Sequence, residues 1–255
     1  MKNKFLGILA AGILFFASLV SAADIQGNGY IEVEGIKYYE PGKTLDELRR
    51  MAVLDGYRAL AEALGDLNIS SESTMKNLSE LNEEVRVAVQ KTVNGARYTV
   101  TRDNEGNFHS KIRLNLFGGQ NSIANIVVPK DTPVEPFPDF NPSFLTMDSN
   151  YTGLIIDCAG QEVSTAILPK IKSVSGKEVY SFQFLERSVV VGRGMVSYSD
   201  SANSGTQRAG SNPLTVQAIF VEDCDVVVSD EDADKILAAN SKSNFLKNCM
   251  VVFVK

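Results

Sequence analysis

The chain reads as an α+β protein. An N-terminal β-α-β-α-β-β domain, with two helices on one face of a small sheet, precedes a second mixed α/β domain. Three observations predict this. Thr44–Asn68 is one capped amphipathic helix, Asn107–Phe117 alternates apolar and polar residues with a period of two, and five of the eight prolines fall between Pro129 and Pro142. The prolines separate two patterned halves, because proline removes amide donors and fixes φ. The predicted boundaries are 1–22, a signal peptide; 23–118, the first domain; 119–150, a proline-rich linker; and 151–255, the second domain.

Lys2 and Lys4 precede an apolar run of about 16 residues, Phe5–Val20, and Val20-Ser21-Ala22 suits cleavage. This is the pattern of a secretory signal peptide. An uncleaved anchor is the competing reading, but a bilayer span needs roughly 20 apolar residues. No cysteine stands at the cleavage point to take a lipid, so a soluble periplasmic or secreted form is expected. No transmembrane span is expected after cleavage.

Tyr30–Tyr39 opens as a half-buried strand, with Ile31 and Val33 on one side and Glu32 and Glu34 on the other. Gly35 reads as a turn or bulge within it. Pro41-Gly42 turns the chain into the helix. There Thr44 and Glu47 form a capping box, and Leu45, Leu48, Ala52, Gly56, Ala59, Leu60, Ala63, Leu64 and Leu67 share one face. So many small residues allow a neighbour close to the helix backbone, and Ala59→Leu is expected to lift the helix from its sheet. Gly65 is the expected stop, in left-handed conformation.

Ile69–Met75 reads as a short polar strand. A second helix spans about Leu78–Val93, capped by Asn77 and Glu80. A hairpin follows: Ala96–Arg102, a turn at Asp103–Gly106, and Asn107–Phe117. In the last strand Phe108, Ser110, Ile112, Leu114 and Leu116 face inward, and His109, Lys111, Arg113 and Asn115 face water.

Gly118–Asn150 is expected to be a semi-rigid connection, or a strap whose Phe137, Phe140, Phe144 and Leu145 lie on a domain surface. Beyond it, strands are expected at Thr152–Asp157, Ala166–Lys172 (an edge or loop, because of Pro169), Glu178–Phe184, Val189–Tyr198 (bent at Gly192 or Gly194), Leu214–Val221 and Asp225–Ser229. Ser229 caps a helix from Asp230 to about Leu246, and Met250–Lys255 is the final strand. If the strands flanking that helix share a sheet, the unit is parallel and right-handed.

Composition restricts function. The net charge is −6, and removing Lys2 and Lys4 leaves 23 basic against 31 acidic residues, a net −8. Nucleic acid is not expected as a partner. Catalytic constellations are missing from the pattern. His109 is the single histidine and reads as ordinary surface, with no carboxylate at a suggestive spacing. No nucleophile elbow, phosphate loop or metal-ligand spacing is present, so no cofactor and no metal are expected. Asp230–Asp234 lacks the glycine and distal glutamate of a calcium loop, and acids in a first helical turn complement the macrodipole.

Cys158, Cys224 and Cys249 are the three cysteines. If Asp225–Ser229 and Met250–Val254 are adjacent parallel strands, Cys224 and Cys249 both precede a strand start. A disulfide Cys224–Cys249 is then expected, with Cys158 free and Cys158–Cys224 as the competing pair. Its loop of about 25 residues corresponds to roughly 3 kcal/mol in the chain-entropy account.

The stretch RRMAVLDGYRALAEALGDLNISSEST, followed by a helix and VNGARYTV before a hairpin, resembles the LPP-twenty lipoprotein family and the N-terminal part of the flagellar assembly protein T group. Ala52, Asp55, Ala59, Leu60, Ala61, Glu62, Ile69, Val93, Gly95 and Ala96 carry the likeness. The second half resembles a module that often follows, through TGLIIDCAG, ILPKI, GKEVY, GRGMVSY, GSNPLTVQA and DVVVSDEDADKIL. The resemblance implies a bacterial, non-enzymatic envelope protein acting in binding or assembly, with envelope or flagellar proteins as partners. Two other readings stand beside it: a small-ligand or peptide binder in a cleft between the domains, and a hydrolase with paired carboxylates. An assembly partner is expected at an exposed apolar patch or an open sheet edge, with Asn107–Phe117 and the terminal strand as the edges to inspect.

Overall fold

The structure, a computed structural model, describes residues 29–146, 150–158, 160–201 and 207–255. The expected signal peptide, residues 1–22, lies outside the described residues. The fold is the α+β arrangement that the pattern predicts: an antiparallel sheet with helices, then parallel and mixed sheets with helices.

The first sheet has the order β1 (Tyr30–Lys37), β5 (Phe108–Asn115), β4 (Arg97–Arg102), all antiparallel. Helix α1 (Leu45–Gly65) begins with the predicted capping box. The Thr44 hydroxyl accepts the Glu47 N–H, and the Glu47 carboxylate accepts the Thr44 N–H at 2.8 Å. Leu48, Ala52, Gly56, Leu60, Ala63 and Leu64 are buried against the sheet. Ala59 sits half-buried at the margin of that face, and the helix residue seated on the sheet is Gly56. Gly35 is no bulge. It pairs in register with Ser110, and the α1 backbone at Ala52 and Gly56 packs against it, where a Cβ would collide. The Ser110 hydroxyl, fully buried, donates to the Ala52 carbonyl at 2.8 Å and ties the two layers. Gly65 is still helical, and the helix ends at Asp66 in right-handed conformation.

The polar strand expected at Ile69–Met75 splits into a hairpin, β2 (Asn68–Ser70) and β3 (Ser73–Thr74), outside the main sheet. The helix expected at Leu78–Val93 is two helices, α2 (Met75–Leu81) and α3 (Glu83–Asn94). Asn82 divides them. Its backbone is extended (φ −136°, ψ 106°), and its side chain accepts the N–H groups of Glu84 and Val85. An asparagine that caps the backbone ahead of it starts a new helix rather than continuing the old one. Thr74, not Asn77, caps α2.

Within residues 119–150 a short helix, α4 (Ile123–Val127), buries Ile123, Ala124 and Val127. The proline-rich part then runs as a strap along the second half. The Glu135 N–H donates to the Gln183 carbonyl at 2.8 Å, and the Phe137 ring stacks at 5.2 Å on Phe184.

The second half holds two four-stranded sheets. One is parallel, in the order β10 (Pro213–Gln217), β6 (Gly153–Asp157), β13 (Val251–Val254), β9 (Ser197–Ser199). The other is mixed, in the order β11 (Phe220–Glu222), β12 (Asp225–Val228), β7 (Ile171–Ser173), β8 (Glu178–Tyr180). Helix α5 (Arg187–Arg193) replaces the first part of the strand expected at Val189–Tyr198, and the strand expected at Leu214–Val221 is two, β10 and β11. Helix α6 (Asp230–Ser243) is capped by Ser229 as predicted. The strands that flank it, β12 and β13, lie in different sheets, so they do not form one parallel unit. β5 and β13 are both internal to their sheets. The edges are β1, β4, β9 and β10, together with β8 and β11.

One hydrophobic core runs through both halves, from Ile31 and Leu60 to Leu154 and Phe253. Polar contacts cross the same seam. The Ile167 and Leu168 N–H groups donate to the Asn68 and Ile69 carbonyls, and the Ser71 hydroxyl donates to Asp225 at 2.9 Å. Asp225 is fully buried, accepts the Lys170 N–H at 2.8 Å and pairs with Lys172 at 2.8 Å.

Candidate functional site

A cleft of about 1170 Å³ opens where three segments meet: α2–α3, the start of β4 against the end of β5, and residues 118–130. Each wall has a local cause. The Asn82 cap sets the direction of α3, which presents Asn82, Val85, Lys91 and Thr92 to the cleft. β4 begins at Arg97, paired with Arg113, so Leu114 and Asn115 run past its start and line the opening. The Ser122 hydroxyl caps α4, and Arg187 of α5 donates to the carbonyls of Asn125 and Val128. The wall at Gln120–Lys130 is thereby fastened to the second half.

The polar part of the lining is carboxamide and cation, set among apolar residues such as Leu78, Val85 and Ile126. Among the described residues, Asn115, Gln120 and Asn121 keep both carboxamide ends unbonded, whereas Asn82 Oδ1 caps α3 and Asn125 is held by the Gln120 carbonyl and Arg187. Lys91, Arg97, Arg113 and Lys130 supply positive charge, against one carboxylate, Glu84. Arg113 is engaged by Glu32 at 2.8 Å and lies over the Tyr30 ring at 3.9 Å. Among the described residues, Lys91, Arg97 and Lys130 make no ion pair. The lining contains no aromatic, histidine or cysteine. A second, apolar groove of about 380 Å³ lies between α1, α2 and α3, lined by Leu64, Met75, Val89 and Val93.

His109 is not the isolated surface residue that its spacing suggests. Nδ1 lies 3.1 Å from Glu34 and Nε2 lies 3.1 Å from Asp103. Cross-strand register carried Glu34 to it, and the hairpin turn carried Asp103. The bond to Asp103, aided by Glu34, raises the His109 pKa above 6.5. Desolvation acts against the Asp103 carboxylate. Hydrogen bonds from Asn107, His109 and the Asn107 and Glu105 N–H groups outweigh it and hold Asp103 at about 2. Both ring nitrogens face carboxylates, so the protonated ring is the form this clamp on the wet face of the sheet favours.

The predicted cysteine pair does not form. Cys158, Cys224 and Cys249 are all buried free thiols. The expectation for Cys224–Cys249 fails at its premise, because β12 and β13 are not neighbours. Burial pushes the Cys158 thiol up to about 12. Burial, with Asp225 and Asp223 beside it, raises Cys224 too. Burial also raises Cys249, against the opposing effects of nearby Tyr180, Arg208 and Arg193. Of the acids at Asp230–Asp234, Asp230 accepts the Ser175 N–H, Glu231 and Asp232 pair with Lys235, and Asp234 pairs with Lys177. No helix among the described residues is long and apolar enough to cross a membrane.

Residues 153–255 match a protein family described as the second domain of Treponema pallidum Tp0624. No curated protein matches the chain. The match begins at β6 and ends with the chain, so it contains none of the residues that line the cleft.

Proposed function

We propose that this protein is an exported, non-enzymatic protein of the cell envelope that acts in binding or assembly, with the cleft beside α3 as its working surface. The observation that carries the proposal is the cleft's lining. Three carboxamides, of Asn115, Gln120 and Asn121, and three cations that make no ion pair among the described residues are recognition groups, which hydrogen-bond and attract. Glu84 stands without a second carboxylate, so the lining offers a ligand binding contacts rather than an acid–base pair. The N-terminal apolar run supports export, and the resemblance of residues 44–117 to envelope and flagellar assembly proteins supports the compartment. A flagellar protein is accordingly the first partner to examine.

The test is in-cell photo-cross-linking. A benzophenone amino acid replaces Gln120 in the cleft or, as control, Lys76, which lies outside it. A discrete adduct with an envelope or flagellar protein from position 120 alone is expected. Adducts equal at both positions, or none at position 120, would overturn the proposal.

A further inference from the structure

The cleft is continuous with a second feature, the free edge of the first sheet. β4 pairs with β5 on one side only. The Asp103 N–H bonds to the Asn107 carbonyl at 3.0 Å, which sets the phase of the ladder: odd-numbered residues of β4 turn their amides toward β5. Tyr98, Val100 and Arg102 therefore turn N–H and C=O outward. Among the described residues, none of these backbone groups has a partner. On β5 the same phase aims the Asn115 N–H and C=O to the β4 side. β4 has already ended there, so these groups open into the cleft.

We infer that the cleft and the β4 edge together accept an extended peptide segment bearing acidic side chains, added as a strand beside β4. This rests on the binding reading of the cleft. Unpaired backbone at an edge is what an added strand satisfies. Arg97 marks where the edge meets the cleft, with Lys91 before it in the chain and Lys130 on the far wall. Their charges select carboxylates although the chain as a whole carries a net charge of −6. The carboxamides of Asn115, Gln120 and Asn121 can each give a donor and an acceptor to a peptide backbone. A sugar or a nucleobase would call for a stacking ring, and the lining has none.

The experiment is fluorescence anisotropy with a labelled decapeptide of alternating Glu and Thr, using the full mature chain. Saturable binding is expected, weakening as salt rises. The Gln-Thr analogue should bind about tenfold more weakly or worse. Of two Glu-Thr probes, N-methylated on odd or on even residues, one should lose binding and the other keep it, because only one set of amides faces β4. Combined Lys91→Glu, Arg97→Glu and Lys130→Glu substitution should abolish binding, with an unchanged circular dichroism spectrum to show that the fold persists. Equal binding of the Gln-Thr analogue removes the acidic specificity. Equal binding of both methylated probes removes strand addition. Tighter binding of oligogalacturonate, or of phosphatidylglycerol vesicles, replaces the peptide with another anion. Absence of binding by any probe overturns the inference, and a cross-link from position 120 would still uphold the broader proposal.

Discussion

Helix α1 crosses β1 so closely that Gly35 and Gly56 meet backbone to backbone. A Cβ at Gly35 would lie 2.5 Å from the Ala52 carbonyl oxygen and 2.5 Å from the Gly56 Cα. Both are main-chain atoms of α1, so no rotamer change relieves the overlap. Ordinary contact needs about 3.5 Å, and the helix must retreat by roughly 1 Å. That retreat stretches the bond from the Ser110 hydroxyl to the Ala52 carbonyl, now 2.8 Å, and loosens the packing of Leu48 and Ile112. Overpacking of this kind costs about 1–3 kcal/mol, a weakened buried hydrogen bond adds about 1, and the stiffer unfolded chain returns about 0.5. Gly35→Ala is therefore expected to lose about 2–3 kcal/mol. At Gly56 the new Cβ meets side-chain atoms instead, Ser110 Oγ at 2.6 Å and Ile112 Cδ1 at 2.9 Å. These can give, and alanine gains about 1 kcal/mol of helix propensity over glycine, so Gly56→Ala should lose only about 1 kcal/mol. Urea unfolding followed by circular dichroism reads both. The midpoint should fall with unchanged slope, and the melting temperature of Gly35→Ala should drop by about 4–12 °C. A Gly35→Ala protein as stable as its parent, or more stable than Gly56→Ala, would mean that α1 is not seated on the β1 backbone.

Three further outcomes test other parts of the structure. His109 is the single histidine, so its ring proton gives one isolated NMR titration. The midpoint should lie above 6.5 and fall on Asp103→Asn or Glu34→Gln; a midpoint at or below 6.5 in the parent would refute the clamp. With a raised folded pKa, the stabilisation from this cation is complete below about pH 6.5 and is lost as pH rises through the folded value; that from Asp103, held at about 2, is present above 3.8 and lost as pH falls toward 2. Asp225→Ala orphans the Lys170 N–H and the Ser71 hydroxyl and leaves the Lys172 ammonium only Glu222, 3.7 Å away. It should cost about 3 kcal/mol, whereas Ser71→Ala, which removes one bond, should cost about 1. Equal losses in chemical denaturation would count against Asp225 as the shared acceptor. Iodoacetamide should label no cysteine in the native protein and all three after unfolding, because buried thiols with raised pKa values hold little thiolate. A Cys224–Cys249 bridge in non-reducing peptide mapping would contradict the separate placement of β12 and β13.

Local signals were the legible ones. The capping box at Thr44 and the period of two at Phe108–Leu116 each satisfy backbone or bury side chains within a few residues, so neighbouring sequence is sufficient to specify them. Arg187–Arg193 shows the limit. Its SVVVG run favours a strand by propensity, yet it is helical, with Val190 and Val191 buried and Arg187 bonded to the carbonyls of residues 125 and 128. Tertiary contacts outweigh a propensity scale that spans about 1 kcal/mol. Gly35 misled in the same way. Its reason is a helix about 20 residues later in the chain. The placement of β12 and β13 in different sheets also has no local signal, since the connecting helix α6 has the same pattern in either topology.

The cleft was illegible for a further reason, which bears on what overall charge means. Lys91 ends a helix, Arg97 starts a strand and Lys130 follows a short helix, so no spacing in the chain announces them together. They converge because α3 feeds directly into β4 and α4 folds back beside them. The net charge of −6 argued against anionic partners by averaging over the whole surface. Charges in water at physiological salt act over about 8 Å, which is less than the width of a domain. A ligand at the cleft therefore meets three unpaired cations and one carboxylate, and is largely screened from the acids at the far end of the molecule. For recognition the local charge matters more than the total, and the sign of this cleft's lining is opposite to that of the chain.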